Sequence, residues 1–404
     1  MSRQDDAGRS VLILTQPPYE GGVPAKTRIL CRYLRDRGHR VSVAWYATFG
    51  HQADINVPLW RMPAGLRPGV REMECFGDFP GVAVGCLFPE LEAPYYLPGR
   101  HWRRLIAAHD RHIAVGGPPL VGHLLAATGT PGLLWCASDV VADRRDRVAA
   151  MGPARRLIHD VVTLPWVLRQ QAHTLASLPR VLGVSRYTVE RLAAHGCPAG
   201  HLDRLPIPVD TDLFRPSTSP APPAVLGFAA RFEDPRKNIG LAFEALALLR
   251  RNGMDARLRL AGAEPSRETL GRVAALGLEG AVDFLGEIAH DQLAAFYQNL
   301  DLFVLPSHQE GLCIAGLEAM ASGVPVISTR CGGPEDYVRD GETGFLVEAA
   351  PAALAGALAR VAGDRALRRI LSAGARRVAE AEFSLAAFGS GLARAWTSVW
   401  GDAP

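Results

Sequence analysis

The sequence lacks the features that mark several classes of protein. Its seven cysteines include no CxxC pair, which argues against a zinc site or a disulfide framework and favours reduced thiols. Lys+Arg (44) exceed Asp+Glu (41) by only three, so the charge balance gives no reason to expect a nucleic-acid partner. The N-terminal MSRQDDAGRS lacks the charged and then apolar layout of a signal peptide. We therefore expect a cytoplasmic protein that acts on small molecules.

Long apolar runs are also missing. The longest weakly charged stretch, residues 113–137, is interrupted by several glycines and prolines, which would break a spanning helix. The chain is nevertheless long and rich in apolar residues. Its 404 residues, 48% of them hydrophobic, predict about two to three domains, each with its own core.

The first half of the chain opens with an α/β pattern. VLILT (11–15) predicts a buried strand, QPPYEGG a loop and AKTRILCRYLRDRG a helix, and HRVSVAW predicts the next strand. This alternation is typical of a doubly wound domain, which binds ligands beyond the carboxyl ends of its strands. Gly21 and Gly22 lie at that expected binding edge, although turn chemistry alone explains a single glycine pair equally well.

Two later segments of the first half are less regular. Residues 62–98 are rich in Gly, Pro and aromatic residues and predict an elaborated loop region that could face an acceptor. The basic segment GRHWRRLIAAHDRH (99–112) suits a solvated helix face, which we prefer, or a membrane surface or anionic acceptor. Peripheral membrane contact is therefore left open.

A proline-rich stretch divides the chain. Residues 204–224 combine prolines with small polar residues and cannot support a helix or an interior strand. We expect an N-terminal domain at 1–208, a linker at 209–224 and a C-terminal domain at 225–384 that again alternates strands and helices. A last amphipathic helix, at about 385–404, is expected to pack back on the first domain. The predicted α/β architecture is two doubly wound, Rossmann-like domains facing each other across a cleft.

The densest candidate chemistry lies in LPSHQEGLCIAGLEAMASGVPVISTRCGGPE (305–335). Glu310 and Glu318 can accept hydrogen bonds from the vicinal hydroxyls of a sugar. A capping role for Glu310 and a solvated position for Glu318 are the alternatives, and the apolar neighbours of Glu318 oppose the second. A helix is expected to start between the two acids, where its first amides favour negative charge, namely those of Leu312, Cys313 and Ile314.

Two cations follow the first strand of the second domain. Arg231 and Lys237, in GFAARFEDPRKNIG, would compensate the charge of a departing diphosphate, and Arg236 is either a solvated neighbour or a substitute for Lys237. Two carboxylates could also serve a glycosidase as acid and base, but nothing else in the sequence supplies that architecture. Asp210 and Asp212 form a DTD that resembles a metal-binding motif, yet we expect no metal there because the motif lies in the domain boundary.

At these residues the sequence resembles the retaining glycosyltransferases of the GT4 type, which have the GT-B fold. ARF…K, LAGA, FLGEI, LFVLPS, the E-x7-E pair, GVPVIST and GGPE…GETGFLV occur in the family's order between residues 225 and 347. In the first domain, the Gly-Gly loop, GVSRYTVERLAAHG and VDTDLFRP match the family as well.

The resemblance implies a role for each candidate residue. Glu310 would contact the hydroxyls of the donor sugar and Glu318 those of the ribose, with Arg231 and Lys237 on the diphosphate. The family often has a histidine near the donor sugar where this chain has CASD, so we take Asp139 as a candidate substrate contact. The backbone beside the base would be that of Glu287 and Ile288.

The implied activity is transfer of a sugar, with retention, from a nucleoside diphosphate sugar to a hydroxyl group, without a metal or cofactor. We rank UDP before GDP as the donor nucleotide and expect a saccharide, cyclitol, natural product or lipid-linked acceptor. The missing histidine leaves open a catalytically silent relative that binds the nucleotide sugar without transfer. A nucleotide-sugar epimerase of the same architecture is a further alternative, against which the E-x7-E pair weighs.

Overall fold

The computed structural model describes residues 8–19, 21–149, 151–217, 224–290 and 292–404. They form two compact units, of which the first runs to Leu205 and includes Gly389–Pro404, and the second is Pro206–Phe388. The sequence places the corresponding boundaries at residues 208 and 384. Residues 218–223 of the predicted linker lie outside the described residues, as do residues 1–7 of the segment considered for a signal peptide.

The described part of the predicted linker packs on the second unit. The N–H of Val209 donates to the carbonyl of Phe383 at 2.8 Å, and the side chain of Phe214 is buried. The guanidinium of Arg376 donates to the carbonyls of Phe214 (2.6 Å) and Thr211 (3.0 Å). Residues 209–217 are therefore fastened to the second unit rather than forming a free connection.

The first unit is built on an eight-stranded sheet in the order β3-β4-β2-β1-β5-β6-β7-β8. All neighbouring pairs are parallel except β3 and β4, which are antiparallel. The strands are β1 Ser10–Thr15, β2 Arg40–Tyr46, β3 Val70–Cys75, β4 Phe79–Val84, β5 Arg111–Gly116, β6 Leu133–Cys136, β7 Arg180–Gly183 and β8 Leu202–Arg204.

Helices cover the strands of this unit, which explains why β1 and β6 are apolar runs rather than alternating ones. Short 3-10 helices at Ala53–Ile55, Leu59–Ala64, Ala93–Tyr96, Pro119–Gly122 and Ala199–His201 and a π-helical turn at His159–Thr163 fill the connections. The α-helices are α1 Gly22–Arg35, α2 Arg100–Ala107, α3 His123–Ala126, α4 Val140–Ala149, α5 Pro153–Ile158, α6 Leu164–Ser177 and α7 Arg186–Ala194.

The second unit has a six-stranded, wholly parallel sheet in the order β11-β10-β9-β12-β13-β14. Its strands are β9 Val225–Ala229, β10 Arg257–Ala261, β11 Val282–Phe284, β12 Leu302–Leu305, β13 Val326–Thr329 and β14 Gly344–Val347. Its helices are α8 Ile239–Arg251, α9 Arg267–Ala275, α10 Leu293–Gln298, α11 Ile314–Ala321, α12 Pro351–Gly363 and α13 Arg365–Phe383, with 3-10 turns at Pro235–Lys237 and Gly333–Asp336. The predicted class of two doubly wound α/β domains is confirmed.

A final helix, α14 Leu385–Trp400, begins in the second unit, and Gly389–Pro404 belong to the first. Trp396 is fully buried there, with its ring 5.3 Å from that of His39. The carboxylate of Asp402 accepts hydrogen bonds from Arg111 (2.5 Å) and from the Trp396 indole (2.9 Å). Across the described parts of the chain, no helix has both the length and the apolar character needed to cross a membrane.

One side chain on the inner face of α1 is a fully buried lysine, Lys26. Its Nζ donates to the carbonyls of Gly116 (2.9 Å) and Trp135 (3.1 Å), near the carboxyl ends of β5 and β6. In the described part of the chain it pairs with no carboxylate, and burial lowers its pKa from 10.5 to about 7, with a small opposing effect of Cys136. Lys26 is one of only two lysines in the sequence, although Lys+Arg total 44.

We expect Lys26→Met to remove a pH dependence of stability. The folded protein loses the Lys26 proton near pH 7, whereas the unfolded chain keeps it up to about 10.5. Between these values the unfolded chain binds more protons, so the contribution of Lys26 to the free energy of unfolding rises with pH and is lost as pH falls through 7. The wild-type value minus that of Lys26→Met should therefore increase with pH, as measured by urea titrations.

The control for this prediction is Arg28→Met on the same helix, because arginine keeps its charge throughout the pH range used. A difference between wild type and Lys26→Met that stays constant with pH would contradict the prediction.

Candidate functional site

The second sheet reverses its strand order between β9 and β12, which are parallel neighbours. In doubly wound sheets such a reversal leaves a crevice beyond the carboxyl ends of the two strands, where ligands bind. Arg231 and Lys237 follow β9, and Glu310 follows β12. The topology thus explains why candidates far apart in the sequence meet at one edge of the sheet.

The core of this site is an ion pair between Lys237 and Glu310. The Nζ of Lys237 donates to Oε1 of Glu310 at 2.7 Å, and the hydroxyl of Ser307 donates to the same oxygen at 2.7 Å. Both side chains are largely shielded, with 18% and 10% of their surfaces exposed. No protein donor in the described residues binds Oε2 of Glu310, so that oxygen remains available to a ligand.

The charge of Lys237 is fixed by this pairing. Burial acts to lower its pKa, but the charge of Glu310, with a lesser contribution from Cys313, outweighs burial and raises the pKa above its ordinary value. Asn238, the next residue, donates from its amide nitrogen to the carbonyl of Pro306 (3.1 Å) and so ties the turn to the end of β12. Lys237 is therefore a positioned, permanently charged ammonium.

The neighbouring arginines have different surroundings. Arg231 is exposed, and its guanidinium has no hydrogen bond or ion pair within the described residues. The guanidinium of Arg236 is paired with the carboxylate of Asp234 at 2.7 Å, and that carboxylate also accepts the backbone N–H of Arg236. Arg236 is thus engaged locally and is not a substitute for Lys237, whereas Arg231 is free to meet a ligand.

The start of α11 presents unpaired backbone donors. Cys313, which precedes the helix, has a left-handed backbone (φ 67), and its carbonyl accepts from the buried hydroxyl of Tyr337 at 3.1 Å. Within the described chain, the N–H groups of Leu312, Cys313 and Ile314 donate to no protein acceptor. Free amides at a helix start, with the positive end of the helix dipole, form a site for an anion such as a phosphate.

A second loop holds the Glu310 segment in place. The N–H of Glu310 donates to the carbonyl of Cys331 (2.8 Å), and the N–H of Gly333 donates to the carbonyl of Glu310 (2.9 Å). A Cβ on Gly333 would lie 2.3 Å from the carbonyl oxygen of Gly311 and 2.5 Å from Cα of Leu312. Glycine is therefore required at 333, because any side chain would push away the backbone that carries the free amides.

Glu318 lies inside α11 and is half-buried. Its Oε2 accepts from the buried hydroxyl of Tyr297 at 2.7 Å. Burial raises the pKa of Glu318, while the Tyr297 hydrogen bond and the charge of His290 oppose the shift. Oε1 has no protein partner in the described residues, so the position predicted for a ribose contact keeps one free acceptor.

The predicted base-side segment is the loop after β11. Glu287 is exposed and Ile288 half-buried, and neither backbone makes a hydrogen bond within the described parts of the chain. The loop before it is anchored by the N–H of Gly262, which donates to the carbonyl of Gly286 at 2.9 Å. Glu287 and Ile288 therefore offer free backbone groups at the same edge of the sheet as Arg231.

The candidates in the first unit differ in availability. Gly21 caps α1 with φ 107, a conformation that side chains disfavour, and Gly22 is the first residue of that helix. Asp139 is fully buried, pairs with Arg191 and lies 3.2 Å from Nε2 of His195. Direct contact between Asp139 and a donor sugar does not fit this placement.

Asp139 instead holds the first unit's helices in position. Its Oδ1 accepts the backbone N–H groups of Val141 (2.9 Å) and Ala142 (3.0 Å) and so caps α4, while Arg191 belongs to α7. Burial acts to raise the pKa of Asp139, but Arg191 and the backbone donors outweigh it and lower the pKa. The negative charge is therefore retained for these internal partners.

Asp210 of the DTD motif has a comparable local role. Its Oδ1 accepts the N–H groups of Asp212 and Leu213, both at 2.9 Å, and thereby closes the turn at the start of the second unit. This capping explains the presence of an aspartate at 210 without a metal.

The family model "Glycosyl transferases group 1" matches residues 209–378. A GDP-mannose-dependent alpha-mannosyltransferase of Mycolicibacterium smegmatis is 31% identical over 330 residues, which cover 78% of each chain. This chain belongs to the glycosyl transferases group 1 family, of the GT4 type.

Another relative in this family matches more strongly over a shorter region. A GDP-mannose-dependent alpha-(1-6)-phosphatidylinositol monomannoside mannosyltransferase of M. smegmatis is 36% identical over 184 residues, 41% of this chain. The match spans 48% of that relative's length. Among solved structures, Anabaena Alr3699/HepE in complex with UDP has a TM-score of 0.73 at 18% identity, covering 96% of this chain and 100% of that one. That likeness identifies the fold as GT-B.

Several contacts at this group 1 site were not predicted from the sequence. Ser307 lies within the stretch chosen for its two acids, and its position three residues before Glu310 is the available signal. Tyr297 and Tyr337 meet their partners across 21 and 24 residues, and no local pattern marks them. In the first unit, the sequence does contain a signal for Lys26. Lysine is rare in this chain, which otherwise uses arginine, and both lysines lie beside strand ends.

We expect Gly333→Ala to weaken the binding of nucleoside diphosphates by about tenfold or more, because its methyl group displaces the Glu310 loop and the helix-start amides. Isothermal titration with UDP and GDP measures the effect. Gly271→Ala in α9 is the matched control, since a Cβ there meets nothing within 4 Å. Wild-type affinity in a folded Gly333→Ala protein would contradict the assigned role of this contact.

Proposed function

We propose that this chain transfers a glycosyl group from a nucleoside diphosphate sugar to a hydroxyl group of an acceptor, with retention of configuration and without a metal. The observation that carries the proposal is the anion site at the start of α11. Its free amides lie beside Lys237, whose charge Glu310 maintains, and the unpaired Arg231 follows the neighbouring strand. These groups supply positive charge and directed donors for a diphosphate.

The same edge offers acceptors for the two sugars of a donor. Glu310 keeps Oε2 for hydroxyl groups of the transferred sugar, and Glu318 keeps Oε1 for those of the ribose. Carboxylate oxygens bind hydroxyl groups well where water is excluded. The backbone of Glu287 and Ile288 would then face the base.

The proposed reaction breaks the bond between the anomeric carbon and the diphosphate oxygen and forms a bond from that carbon to the acceptor oxygen. The acceptor attacks from the face that the diphosphate leaves, and its proton passes to an oxygen of the departing phosphate. Lys237, Arg231 and the α11 amides stabilise the charge that grows on the diphosphate. The protein supplies positioning and electrostatics, and no side chain becomes covalently attached to the sugar.

For the donor we now place GDP-mannose first and UDP-sugars second, which reverses the ranking of the nucleotides made from the sequence. The support is that both mycobacterial relatives described above carry GDP-mannose in their names. The second candidate function is nucleotide-sugar binding without transfer. It is favoured by the cysteine, serine and buried aspartate that stand where the family often has a histidine.

A panel of GDP-mannose, UDP-glucose and ADP-glucose, incubated with the protein in the presence of EDTA, tests the proposal. We expect slow hydrolysis of GDP-mannose that does not require added metal, because the protein's own cations offset the diphosphate charge. Binding of a nucleotide sugar without any turnover, in assays that include candidate acceptors, would favour the silent relative. No binding of any donor would overturn the proposal, and formation of an isomeric nucleotide sugar would indicate an epimerase.

Single substitutions test whether each partner of the Lys237–Glu310 ion pair is needed for turnover. We expect Glu310→Ala and Lys237→Ala each to lower turnover by about tenfold or more, since each removes a preorganised charge next to the reacting groups. Arg236→Ala is the matched control, because this neighbouring cation pairs with Asp234. Donor hydrolysis and GDP affinity are measured for all three variants, and an Arg236→Ala loss as large as that of Lys237→Ala would contradict the assignment.

A further inference from the structure

The first unit contains a cavity lined by none of the residues that the proposed transfer reaction has been assigned. It has a volume of about 400 Å³, within the range of small-molecule sites. It lies beyond the carboxyl end of β4, where the chain leaves the sheet through Val84 and Gly85. Its apolar walls come from the segment between β4 and α2, from α2 and from α6, and the wall residues are Leu87, Phe88, Pro94, Leu97, Trp102 and Trp166.

This cavity is lined mostly by the two less regular segments of the first half, the loop region 62–98 and the basic segment 99–112. Because β4 is parallel to β2, and β2 to β1, the end of β4 is on the same edge of the sheet as the Gly21 loop. In a doubly wound sheet that edge is the ligand-binding one. The position of the cavity therefore suits a substrate better than a packing defect.

The charged residues around the cavity have one sign. Arg67 and Arg100 line it, and no aspartate or glutamate does so in the described part of the chain. Arg67 has no hydrogen bond or ion pair there, and Arg100 donates only through Nε, to His101 at 3.3 Å. The N–H groups of the first residues of α2, which also line the cavity, have no protein acceptor in the described residues. An apolar space edged by unpaired cations fits a molecule with an apolar body and an anionic head.

Exposed apolar side chains continue from the cavity wall. In the 3-10 helix Leu59–Ala64, Leu59 is 64% exposed and Trp60 is 63% exposed. This helix is held to the wall, because Val57 pairs with Leu87 and the N–H of Leu59 donates to Glu90 at 3.0 Å. Adjacent exposed apolar residues of this kind mark a contact with an apolar partner.

We propose that this cavity binds the apolar chain of an amphiphilic acceptor, with the anionic head of the acceptor held at Arg67 and Arg100. The identification of the ligand as the acceptor rests on the proposed glycosyl transfer. A neutral aromatic ring would also fit the tryptophan-lined walls, but it would leave both guanidinium groups without a counter-charge. The unpaired arginines therefore favour the amphiphile.

Quenching of tryptophan fluorescence by a brominated chain tests the binding step without any donor. We expect bromododecyl phosphate to quench in a saturable manner, since Trp102 and Trp166 line the cavity. Bromododecyl maltoside, with the same chain and a neutral head, should bind about tenfold more weakly. Equal affinity for both amphiphiles would overturn the role of the arginines, and the absence of saturable quenching would overturn the site.

Matched variants place the ligand within the cavity. Arg100→Ala should weaken binding of the phosphate amphiphile by about tenfold, whereas Arg104→Ala, an exposed residue of α2 that does not line the cavity, should not. Leu97→Asp should abolish binding, with Leu270→Asp as control, because the two leucines have similar exposure (41% and 47%). Trp166→Phe should reduce quenching while leaving affinity, measured by calorimetry, unchanged within about twofold.

Donor hydrolysis, measured on the same samples, keeps this inference separate from the proposed function. Loss of quenching with hydrolysis intact would overturn the cavity proposal alone. Saturable quenching in a protein that neither binds nor hydrolyses any donor would overturn the glycosyl transfer and, with it, the identification of the ligand as an acceptor.

Discussion

The arrangement of the second unit's site depends on one interaction, the hydrogen-bonded ion pair between Lys237 and Glu310. It joins the segments that follow β9 and β12 across 73 residues of sequence. Because the lysine and Ser307 both use Oε1, Glu310 is held in place with its other oxygen still unbonded in the described structure. A partly buried ion pair of this kind is weak evidence for stability, since desolvation offsets much of the attraction. Its better explanation is positioning, because it fixes a cation and an acceptor side by side.

The charges would be ineffective without the backbone that surrounds them. The left-handed Cys313, its carbonyl bonded to Tyr337, turns the chain so that the amides of Leu312, Cys313 and Ile314 have no acceptor among the described residues. Gly333 allows the neighbouring loop to approach that backbone closely enough to bond the carbonyl of Glu310. Leaving several amides unpaired is unfavourable in a folded protein unless water or a ligand binds them. The rigid packing around them therefore preserves a site that a diphosphate can fill.

Much of this architecture could be predicted from the sequence, because short apolar strands, amphipathic helices and parallel topology follow from local patterns. The edge that holds Arg231, Lys237 and Glu310 also follows, since the strand order decides which loops are neighbours. Local sequence patterns do not reveal which residue pairs with each charged side chain. The position of Asp139 after β6 predicts a substrate contact. Its carboxylate instead pairs with Arg191, which is more than fifty residues later in the sequence. The sequence likewise does not distinguish Lys237 from Arg236, because the difference lies in their partners: Lys237 pairs with Glu310 and Arg236 with Asp234.

The two lysines of the chain show how strongly the partner decides the chemistry. Both are shielded from water, but Lys26 is bonded to backbone carbonyls and faces the Trp135 ring, and burial lowers its pKa to about 7, whereas Lys237 meets a carboxylate and its pKa rises. Carbonyl dipoles compensate a buried ammonium less well than an opposite charge does, so only Lys237 keeps its proton at every physiological pH. A residue that offsets the charge of a departing diphosphate must remain cationic throughout the reaction. The carboxylate of Glu310 is therefore as necessary to the proposed chemistry as the ammonium that it holds.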